Sequence, residues 1–309
     1  MIGPQFPSLS RLVEAQLDAF PQHAPYLKRR FADDSGEQLA FADELAQLIT
    51  KVIGNRLADY LGDYRWLTDV ILEEEIVFRR TGAYRLSTFA EAEREIYANR
   101  EYMARYMNGV LLSQLWWRNH TEVMHYFRDV YLAGNANGAS HLEIGPGHGL
   151  FLCYAAMSPH VDRVSGWDVS ATSIEQVRHA FRSVGLKKPV TLELTNMLDA
   201  PAGQFDSVTF SEVLEHLEQP RPALDAIFRL LKPAGCAFIN APVNSPAPDH
   251  LTLFRTPEEI VDLIRDTGFE IEDSLFSPTT GATLARARKL GLTISTAVIA
   301  RKPGNPNAG

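Results

Sequence analysis

Residues 141–151, with the sequence HLEIGPGHGLF, join a short apolar run to a turn in which glycine occupies every second position. Because glycine has no Cβ, such a turn can bend tightly and bring its backbone close to a ligand. The apolar residues after the last glycine predict a helix, whose first N–H groups have no partner within the helix. The segment therefore predicts a strand, a ligand-binding turn and a helix, as in folds that bind nucleotide-like molecules.

The positions of the glycines distinguish two kinds of ligand. A dinucleotide fingerprint requires G-x-G-x-x-G, but here Leu150 follows a third glycine that comes one residue early. An acidic residue also stands two positions before the first glycine. This pattern resembles motif I of the class I S-adenosyl-L-methionine (SAM)-dependent methyltransferases. The resemblance implies that SAM is the cofactor and that four residues of the motif contact it: Glu143, Gly145, Gly147 and Gly149.

A second buried strand is predicted over residues 163–169, with Asp168 at its carboxyl end. Asp168 lies roughly 20 residues after the glycines, where a carboxylate can accept hydrogen bonds from both ribose hydroxyls. The alternative is that Asp168 caps the next helix. Many relatives carry Asp where this chain has Asn196, whose amide can still accept a hydrogen bond from adenine. The resemblance implies four further cofactor contacts: Val169, Asn196, Met197 and Ser211.

Seven strand-like segments alternate with helical ones, which predicts an α/β fold with a mainly parallel, doubly wound sheet. The resemblance implies a Rossmann-like sheet in the order 3-2-1-4-5-7-6, with the last strand antiparallel. After the first strand, the predicted strands cover residues 163–169, 191–195, 205–210, 235–243, 268–276 and 295–303.

The chain divides at residues 132–139, LAGNANGA, where glycine and asparagine interrupt a long helical pattern. We predict a mainly helical domain over residues 1–132 and a SAM-binding catalytic domain over 133–301. Residues 302–309 have no apolar side chain able to dock them, so this tail is expected to be disordered. The predicted N-terminal helices cover residues 8–19, 37–61 and 66–77, followed by two from residue 88 onward.

Residues 77–89, VFRRTGAYRLSTF, contain two short alternating runs separated by Thr-Gly, which predicts a β-hairpin. Thr88 and Glu91 then form a capping box that begins the next helix. This order of elements resembles the winged-helix domain that small-molecule O-methyltransferases use for dimerisation, and it implies a homodimer. Winged helices also bind DNA, but the acidic residues 73–75 ahead of the hairpin would repel phosphate.

Charge and composition exclude several classes of function. The formal net charge is −8 and the longest run of Lys and Arg, KRR, is three residues, which argues against nucleic acid as a partner. The two cysteines, Cys153 and Cys236, lie in apolar contexts and are predicted to be buried, reduced thiols. The sequence contains neither a signal-peptide pattern nor a run of about 18 apolar residues, so we expect a cytoplasmic protein with no membrane partner.

The segment SEVLEHL, residues 211–217, follows the fourth predicted strand. If it begins a helix, the i, i+3 and i, i+4 spacings place Glu212 beside both Glu215 and His216. With His250 from a later loop, these side chains could hold a divalent cation such as Mg²⁺ or Zn²⁺. A similar arrangement occurs in ubiquinone-pathway O-methyltransferases and in small-RNA 2′-O-methyltransferases, where a metal holds the acceptor oxygens.

Without a metal, His216 is the first candidate for a general base, because the ordinary pKa of imidazole lies near neutral pH. Glu215 and His120 complete the predicted catalytic set. The string VLEHL also occurs in class I methyltransferases that bind no metal, and a histidine that only packs remains an alternative.

Residues 97–127 are dense in aromatic and hydrogen-bonding side chains. In two-domain methyltransferases the helices before motif I usually cover cofactor and substrate, so this segment is a candidate wall of the acceptor pocket. An aromatic stripe at helical spacing can equally be core packing. The predicted substrate contacts are Tyr102, Tyr106, Trp117 and His250.

Together these patterns predict a SAM-dependent methyltransferase that acts on a small molecule, with oxygen as the preferred acceptor atom. Methyl transfer to nitrogen or carbon, on a free or carrier-bound intermediate, fits almost as well. An RNA methyltransferase should show a basic groove, which this acidic sequence does not indicate. A non-catalytic SAM-binding protein would keep the glycine turn and Asp168 without any acceptor chemistry.

Overall fold

The computed structural model describes residues 2–304 of the chain. Most of the predicted disordered tail, residues 305–309, lies outside the described residues. The beginning of that tail is ordered, contrary to the prediction. The Lys302 backbone N–H donates to the Gly235 carbonyl at 2.9 Å, and its Nζ donates to the Leu231 carbonyl at 2.7 Å.

A seven-stranded sheet in the order β3-β2-β1-β4-β5-β7-β6 forms the centre of the molecule. Strands β1 to β5 pair in parallel, whereas β7 runs antiparallel to both β5 and β6. The Rossmann-like fold and the strand order predicted from the sequence are therefore confirmed. The strands are β1 (Ala139–Ile144), β2 (Val161–Asp168), β3 (Val190–Leu194), β4 (Phe205–Ser211), β5 (Leu231–Val243), β6 (Glu270–Pro278) and β7 (Ile294–Arg301).

Helices cover both faces of the sheet. The two helices that follow β1 and β2, α8 and α9, pack on one face of the sheet and share one cluster of buried apolar side chains. The later helices α10, α11 and α12 pack on the other face and share a second cluster. Seven helices precede the sheet: α1 (Pro7–Ala19), α2 (Ala24–Arg30), α3 (Gly36–Ile53), α4 (Leu57–Thr81), α5 (Phe89–Ala92), α6 (Arg100–Trp116) and α7 (Arg118–Tyr126). The others are α8 (Leu150–Met157), α9 (Ala171–Val184), α10 (Pro220–Leu230), α11 (Pro257–Asp266) and α12 (Leu284–Leu290).

Two π-helical turns extend the helices before the sheet. Glu93–Tyr97 continues α5, and Phe127–Leu132 continues α7. The capping box predicted at the start of α5 is confirmed, because Thr88 Oγ1 accepts the Glu91 N–H and the Glu91 carboxylate accepts the Thr88 N–H.

The predicted β-hairpin over residues 77–89 is wrong. Residues 77–81 are the last turn of α4, and none of residues 82–88 is in a strand. Tyr64, Leu67 and Phe78 are buried at helical spacing along α4, and Gly82 ends the helix with a left-handed φ of 72°. The apolar face of the helix thus outweighs the local strand-like alternation. Because the hairpin would have been the wing, the described N-terminal helices lack this feature of a winged-helix domain. Dimerisation stays a prediction.

The predicted helix over residues 37–61 is also corrected. It breaks at Gly54, whose φ of 61° ends α3, and a new helix begins at Leu57. The predicted helix over residues 66–77 is the middle of this longer α4.

The N-terminal helices share a hydrophobic core with the sheet. Phe127, just after α7, packs edge-on against Phe151 of α8 with ring centroids 4.9 Å apart, and against Phe238 of β5 at 5.1 Å. The division of the chain near residue 132 into two domains stays a prediction. Both cysteines are buried and unpaired, as expected. Among the helices of residues 2–304, none has the length and apolar character needed to cross a membrane.

Candidate active site

The glycine turn after β1 adopts backbone conformations that residues with a Cβ rarely adopt. The φ angles of Gly145, Gly147 and Gly149 are 67°, 49° and 78°, which lie in the left-handed region. A Cβ on Gly145 would come within 2.9 Å of Val213 Cγ2. The Gly145 N–H donates to the Trp167 carbonyl at 2.8 Å, which ties the turn to β2.

Glu143 lies at the carboxyl end of β1 and is 3% exposed. Its Oε2 has no hydrogen-bond partner. Burial raises the pKa of Glu143 well above its ordinary value, and the charge of Asp168 adds to this effect. A buried acceptor without a donor is costly, so this carboxylate is suited to a ligand that carries a positive charge.

Asp168, at the end of β2, already has partners on the chain. Its carboxylate accepts the Ser170 N–H at 2.7 Å and the Ser173 hydroxyl at 2.6 Å, and burial raises its pKa. It therefore supports the first turn of α9, which was the alternative to ribose binding. The side-chain oxygen of Asn196 accepts the N–H of the residue two positions later at 3.0 Å, while Val169 is 73% exposed.

A cavity of about 220 Å³ lies between α4, α6 and α7 on one side and the carboxyl ends of β1, β4 and β5 on the other. It begins at the glycine turn and continues to the loop after β5. The predicted site residues that line it are Tyr106, Trp117, His120, Glu143, Gly145, Gly147, Ser211, Glu212, His216 and His250. The predicted residues outside its lining are Tyr102, Gly149, Asp168, Val169, Asn196, Met197 and Glu215.

The segment after β4 is not the helix that the i, i+3 and i, i+4 argument required. Glu212 has a φ of 54°, a short 3₁₀ turn covers Leu214–His216, and the next helix begins only at Pro220. The Glu212 N–H donates to the Asn240 carbonyl at 2.8 Å, and its carboxylate accepts the Asn240 amide at 2.7 Å. Strand β5, rather than helical spacing, therefore fixes Glu212.

The cluster nevertheless assembles by another route. Glu215, His216 and His250 each bring a possible ligand atom within 4.8 Å of the others. The Glu215 Oε1 lies 3.8 Å from His216 Nε2 and 4.0 Å from His250 Nε2. The two imidazole rings meet edge to face with centroids 4.9 Å apart. Glu212 is not one of these three groups.

The hydrogen bonds of the two histidines fix their tautomers. His216 Nδ1 lies 3.1 Å from the Asp249 carbonyl, and His250 Nδ1 lies 2.7 Å from the Ser245 carbonyl. A carbonyl can only accept, so both Nδ1 atoms carry the proton and both Nε2 atoms present a lone pair. Within residues 2–304 the two oxygens of Glu215 have no hydrogen-bond partner, so an ionised Glu215 would face the two Nε2 lone pairs without a donor.

Burial disfavours the ionised forms of Glu215 and of the neighbouring Glu212. Burial and the neighbouring Glu212 raise the pKa of Glu215 well above its ordinary value, and burial raises the pKa of Glu212 to about 7. Burial lowers the pKa of His250 to about 4. The cluster therefore favours either a shared proton or a bound cation.

His120 and Tyr102 occupy different surroundings from those predicted. Ser113 Oγ and Gln114 Nε2 both lie 3.2 Å from His120 Nδ1, and burial lowers the pKa of His120 to about 3. His120 is thus a neutral, polar part of the cavity wall. Tyr102 stacks on Tyr106 behind that wall, with ring centroids 6.3 Å apart.

Two residues were missed or left undecided by the sequence argument. His148 of the glycine turn lines the cavity, and its Nδ1 accepts the Leu150 N–H at 3.1 Å. Asp249 also lines the cavity and is 3% exposed. Its position next to His250 was the only sequence signal, because its partners come from distant parts of the chain.

Comparisons with known proteins give one family match and several similar proteins. Residues 142–239 match the family model described as a methyltransferase domain. The chain is similar to a probable S-adenosylmethionine-dependent methyltransferase of Mycolicibacterium smegmatis, with 30% identity over 181 residues that span 55% of this chain and 65% of that protein. It is also similar to the ubiquinone biosynthesis O-methyltransferase of Thiobacillus denitrificans, with 30% identity over 160 residues, 44% of this chain and 66% of that protein.

A solved structure similar to this chain is the N-methyltransferase NodS of Bradyrhizobium japonicum in complex with S-adenosyl-L-homocysteine. The TM-score is 0.46, with 20% identity over 60% of this chain and 87% of that one. The chain spans less than two thirds of the length of the curated relatives named above. The family match identifies residues 142–239 as a methyltransferase domain, and the strand order and the glycine turn are those that the resemblance to class I, SAM-dependent methyltransferases implies.

Proposed function

We propose that this protein transfers the methyl group of SAM to a small molecule held in the cavity. One observation carries the proposal: the glycine turn and the two histidines of the cluster, His216 and His250, line the same cavity. SAM supplies a methyl group already activated by its positive sulfur. The chain's own residues then have to hold donor and acceptor in line, exclude water and accept a proton.

The residues around the glycine turn fit SAM. The unpartnered Glu143 carboxylate matches the cationic amino group of the methionine portion. The left-handed glycines leave room for close approach of the ligand to the backbone. Asp168 can accept ribose hydroxyls as well as its present donors, since a carboxylate has about four acceptor sites. The exposed apolar side chains Val169 and Leu198 can then cover the adenine.

A calorimetric titration with S-adenosyl-L-homocysteine tests the cofactor site. Glu143→Gln should weaken binding by about 1.5–3 kcal/mol, because a charged hydrogen bond to the amino group is lost. The matched control is Glu193→Gln on the exposed face of β3, which should bind as the wild type does. A wild-type protein that bound neither SAM nor its demethylated product would refute the proposal.

His216 is the residue we propose as general base toward an acceptor oxygen. Its Nε2 presents a lone pair, and its side chain is 23% exposed, at the cavity wall. No Lys or Arg occurs among the residues that line the cavity in the described part of the chain, which disfavours phosphorylated or RNA acceptors. An oxygen acceptor is preferred because it must lose a proton, and methylation of nitrogen or carbon is the alternative.

His216→Gln should reduce kcat by about 10²–10⁴-fold on a hydroxyl acceptor, the usual contribution of a general base. The measurement is transfer of labelled methyl from SAM across a panel of phenols, alcohols and amines. Binding of S-adenosyl-L-homocysteine should be unchanged in this variant. SAM binding without turnover on any acceptor would instead favour a non-catalytic SAM-binding protein.

As the alternative to a general base, we propose that Glu215, His216 and His250 hold a divalent cation, in which case Nε2 of His216 is a ligand and not the base. Two Nε2 lone pairs and an unpartnered carboxylate converge without a donor, and histidine with carboxylate is a common ligand set for Zn²⁺ and similar ions. The backbone carbonyls that fix the two Nδ1–H groups act as the supporting partners that metal-bound histidines normally have. A bound cation would lower the pKa of an acceptor hydroxyl.

Exhaustive treatment with EDTA, followed by restoration of Mg²⁺, Mn²⁺ or Zn²⁺, tests this second proposal. Chelation should abolish turnover, and one of the three ions should restore it. His250→Ala should lower the content of the restoring metal as measured by elemental analysis. Activity that survives exhaustive chelation would refute the metal but leave the methyltransferase proposal intact.

A further inference from the structure

Asp249 lies on the loop after β5, where parts of the chain far apart in sequence meet. It is 3% exposed. The Tyr97 hydroxyl lies 3.3 Å from its Oδ2, and the Tyr106 hydroxyl lies 3.3 Å from its Oδ1. His216 Nδ1 lies 3.1 Å from its carbonyl and 3.4 Å from its Oδ2. One residue thus contacts both a wall of the cavity and the base that we propose.

The directions of these hydrogen bonds follow from the chemistry of the groups. A carbonyl only accepts, so His216 Nδ1 is the donor to it, and the two tyrosine hydroxyls donate to the carboxylate oxygens of Asp249. The Tyr97 hydroxyl, 3.4 Å from His216 Nδ1, then donates to Asp249 rather than to the ring. This arrangement leaves the lone pair of His216 on Nε2, which faces Glu215.

The two tyrosines belong to one segment of the chain, which contributes Met103 and Tyr106 to the wall of the cavity. We define residues 84–106 as the strap, which contains α5, the π-helical turn and the start of α6. Away from Asp249, two hydrogen bonds connect the strap to the segments after β4 and β5. Tyr84 Oη accepts the Ser245 N–H at 3.0 Å, and Glu218 accepts the Phe89 N–H at 2.6 Å.

We propose that Asp249 is a positioning residue that couples the strap to His216. Its carboxylate anchors the strap through the two tyrosines, and the same residue keeps the proton of His216 on Nδ1. The inference depends on the proposed function, because the orientation of His216 matters only if its Nε2 acts on the acceptor or on a cation. When the strap lifts, Asp249 loses two of its donors, and the restraint on His216 weakens with it.

The first experiment is NMR of the full-length, ¹⁵N-histidine-labelled protein, with the His216 signals assigned by difference from His216→Gln. In the wild type, His216 should be the Nδ1–H tautomer. Asp249→Asn keeps the backbone carbonyl 3.1 Å from Nδ1 but replaces the carboxylate at 3.4 Å by an amide that can donate, so the Nδ1–H tautomer should lose part of its population to Nε2–H. The control is Glu218→Gln, which alters a tie of the same strap without touching His216 and should leave the tautomer unchanged.

The second experiment measures kinetics and cofactor binding. Asp249→Asn should lower kcat at least about 10-fold while the affinity for S-adenosyl-L-homocysteine stays at the wild-type value. Tyr97→Phe should give a smaller fall in kcat, because it removes one donor from Asp249. Glu218→Gln should keep the wild-type kcat.

The outcomes separate this inference from the function on which it depends. An unchanged His216 tautomer in Asp249→Asn would overturn the inference, whatever the activity. A tautomer that shifts equally in Glu218→Gln would show that the strap acts as a whole and would also overturn it. If the tautomer shifts as expected but no acceptor is methylated by the wild type, the positioning role holds and the proposed function fails.

Discussion

Gly145 shows how one residue can fix the shape of the cofactor turn. Its φ of 67° disfavours any side chain, and a Cβ there would lie 2.9 Å from Val213 Cγ2. Strain and contact act together at this position, whereas at Gly185, with a φ of 78°, no atom lies within 4 Å of the place of a Cβ. The two glycines therefore allow the two effects to be separated.

Gly145→Ala should lower the free energy of unfolding by about 2–4 kcal/mol, from backbone strain and the clash with Val213. Gly185→Ala should lose only about 1–2 kcal/mol, because strain acts there alone. Urea denaturation measures both changes. Only Gly145→Ala should also weaken binding of S-adenosyl-L-homocysteine. Equal losses of stability and affinity in the two variants would contradict this account.

The cofactor motif could be predicted at the residue scale because its signal is local. Glu143 and the glycines lie within seven consecutive residues of the chain, and backbone geometry places them together. The role of Asp249 could not be predicted in this way, because its tyrosine donors lie 143 and 152 residues away in the sequence. Only the fold brings such residues into contact.

At the scale of elements, the strands were predicted better than the loops. Strand β5 is buried from Gly235 to Val243, and a strand buried on both faces is a nearly continuous apolar run, here GCAFINAPV, that the sequence displays directly. The helix predicted directly after β4 was wrong. The residues of this segment favour a helix locally, but the positive φ of Glu212 directs the backbone out of a helical path. Hydrogen bonds to β5 stabilise that turn, and they are not visible in the sequence.

The contact between α4 and α6 provides a prediction for a pair of elements. Gly109 of α6 faces Leu67 of α4, and a Cβ on it would lie 2.8 Å from Leu67 Cβ. Gly109→Ala should therefore push the helices apart and cost about 1–3 kcal/mol of stability, despite the higher helix propensity of alanine. The exposed Gly62→Ala on α4, with no atom within 4 Å, should be stabilising by about 0.5–1 kcal/mol.

Thermal unfolding of both variants tests this contact. In a double-mutant cycle, Leu67→Ala should cost less in the Gly109→Ala background than in the wild type, because it removes the Leu67 Cδ2 that lies 2.9 Å from the new Cβ, although it keeps the Leu67 Cβ. If Gly109→Ala and Gly62→Ala were equally stabilising, the two helices would not be in the close contact described.

At the scale of the whole molecule, buried histidines link stability to pH. His141 of β1 is fully buried between Ser207 and Thr209, and burial lowers its pKa to about 3 from an ordinary value of 6.5. Because the folded pKa lies below the unfolded one, the unfolded state binds the proton first as pH falls. The stability contributed by neutral His141 is therefore complete above pH 6.5 and is lost as pH falls toward 3.

His141→Asn removes this titration while keeping a hydrogen-bonding side chain. The variant should be less stable than the wild type at pH 7.5, and the difference should shrink below pH 6.5 by about 1.4 kcal/mol per pH unit. Urea denaturation from pH 7.5 to 4.5 measures it. Comparing the two proteins cancels the opposite contribution of carboxyls with raised pKa, such as Glu143. A difference independent of pH would contradict the assignment.

Strand β7 comes last along the chain among the seven strands, yet it is inserted between β5 and β6. On a ribosome, the polypeptide up to residue 293 would emerge with a gap in its sheet and an open edge on β5. The final strand closes this gap and adds Ser295 to the wall of the cavity. Nascent chains would thus expose this edge to chaperones and proteases until β7 has been translated, and the wall of the cavity would be completed only then.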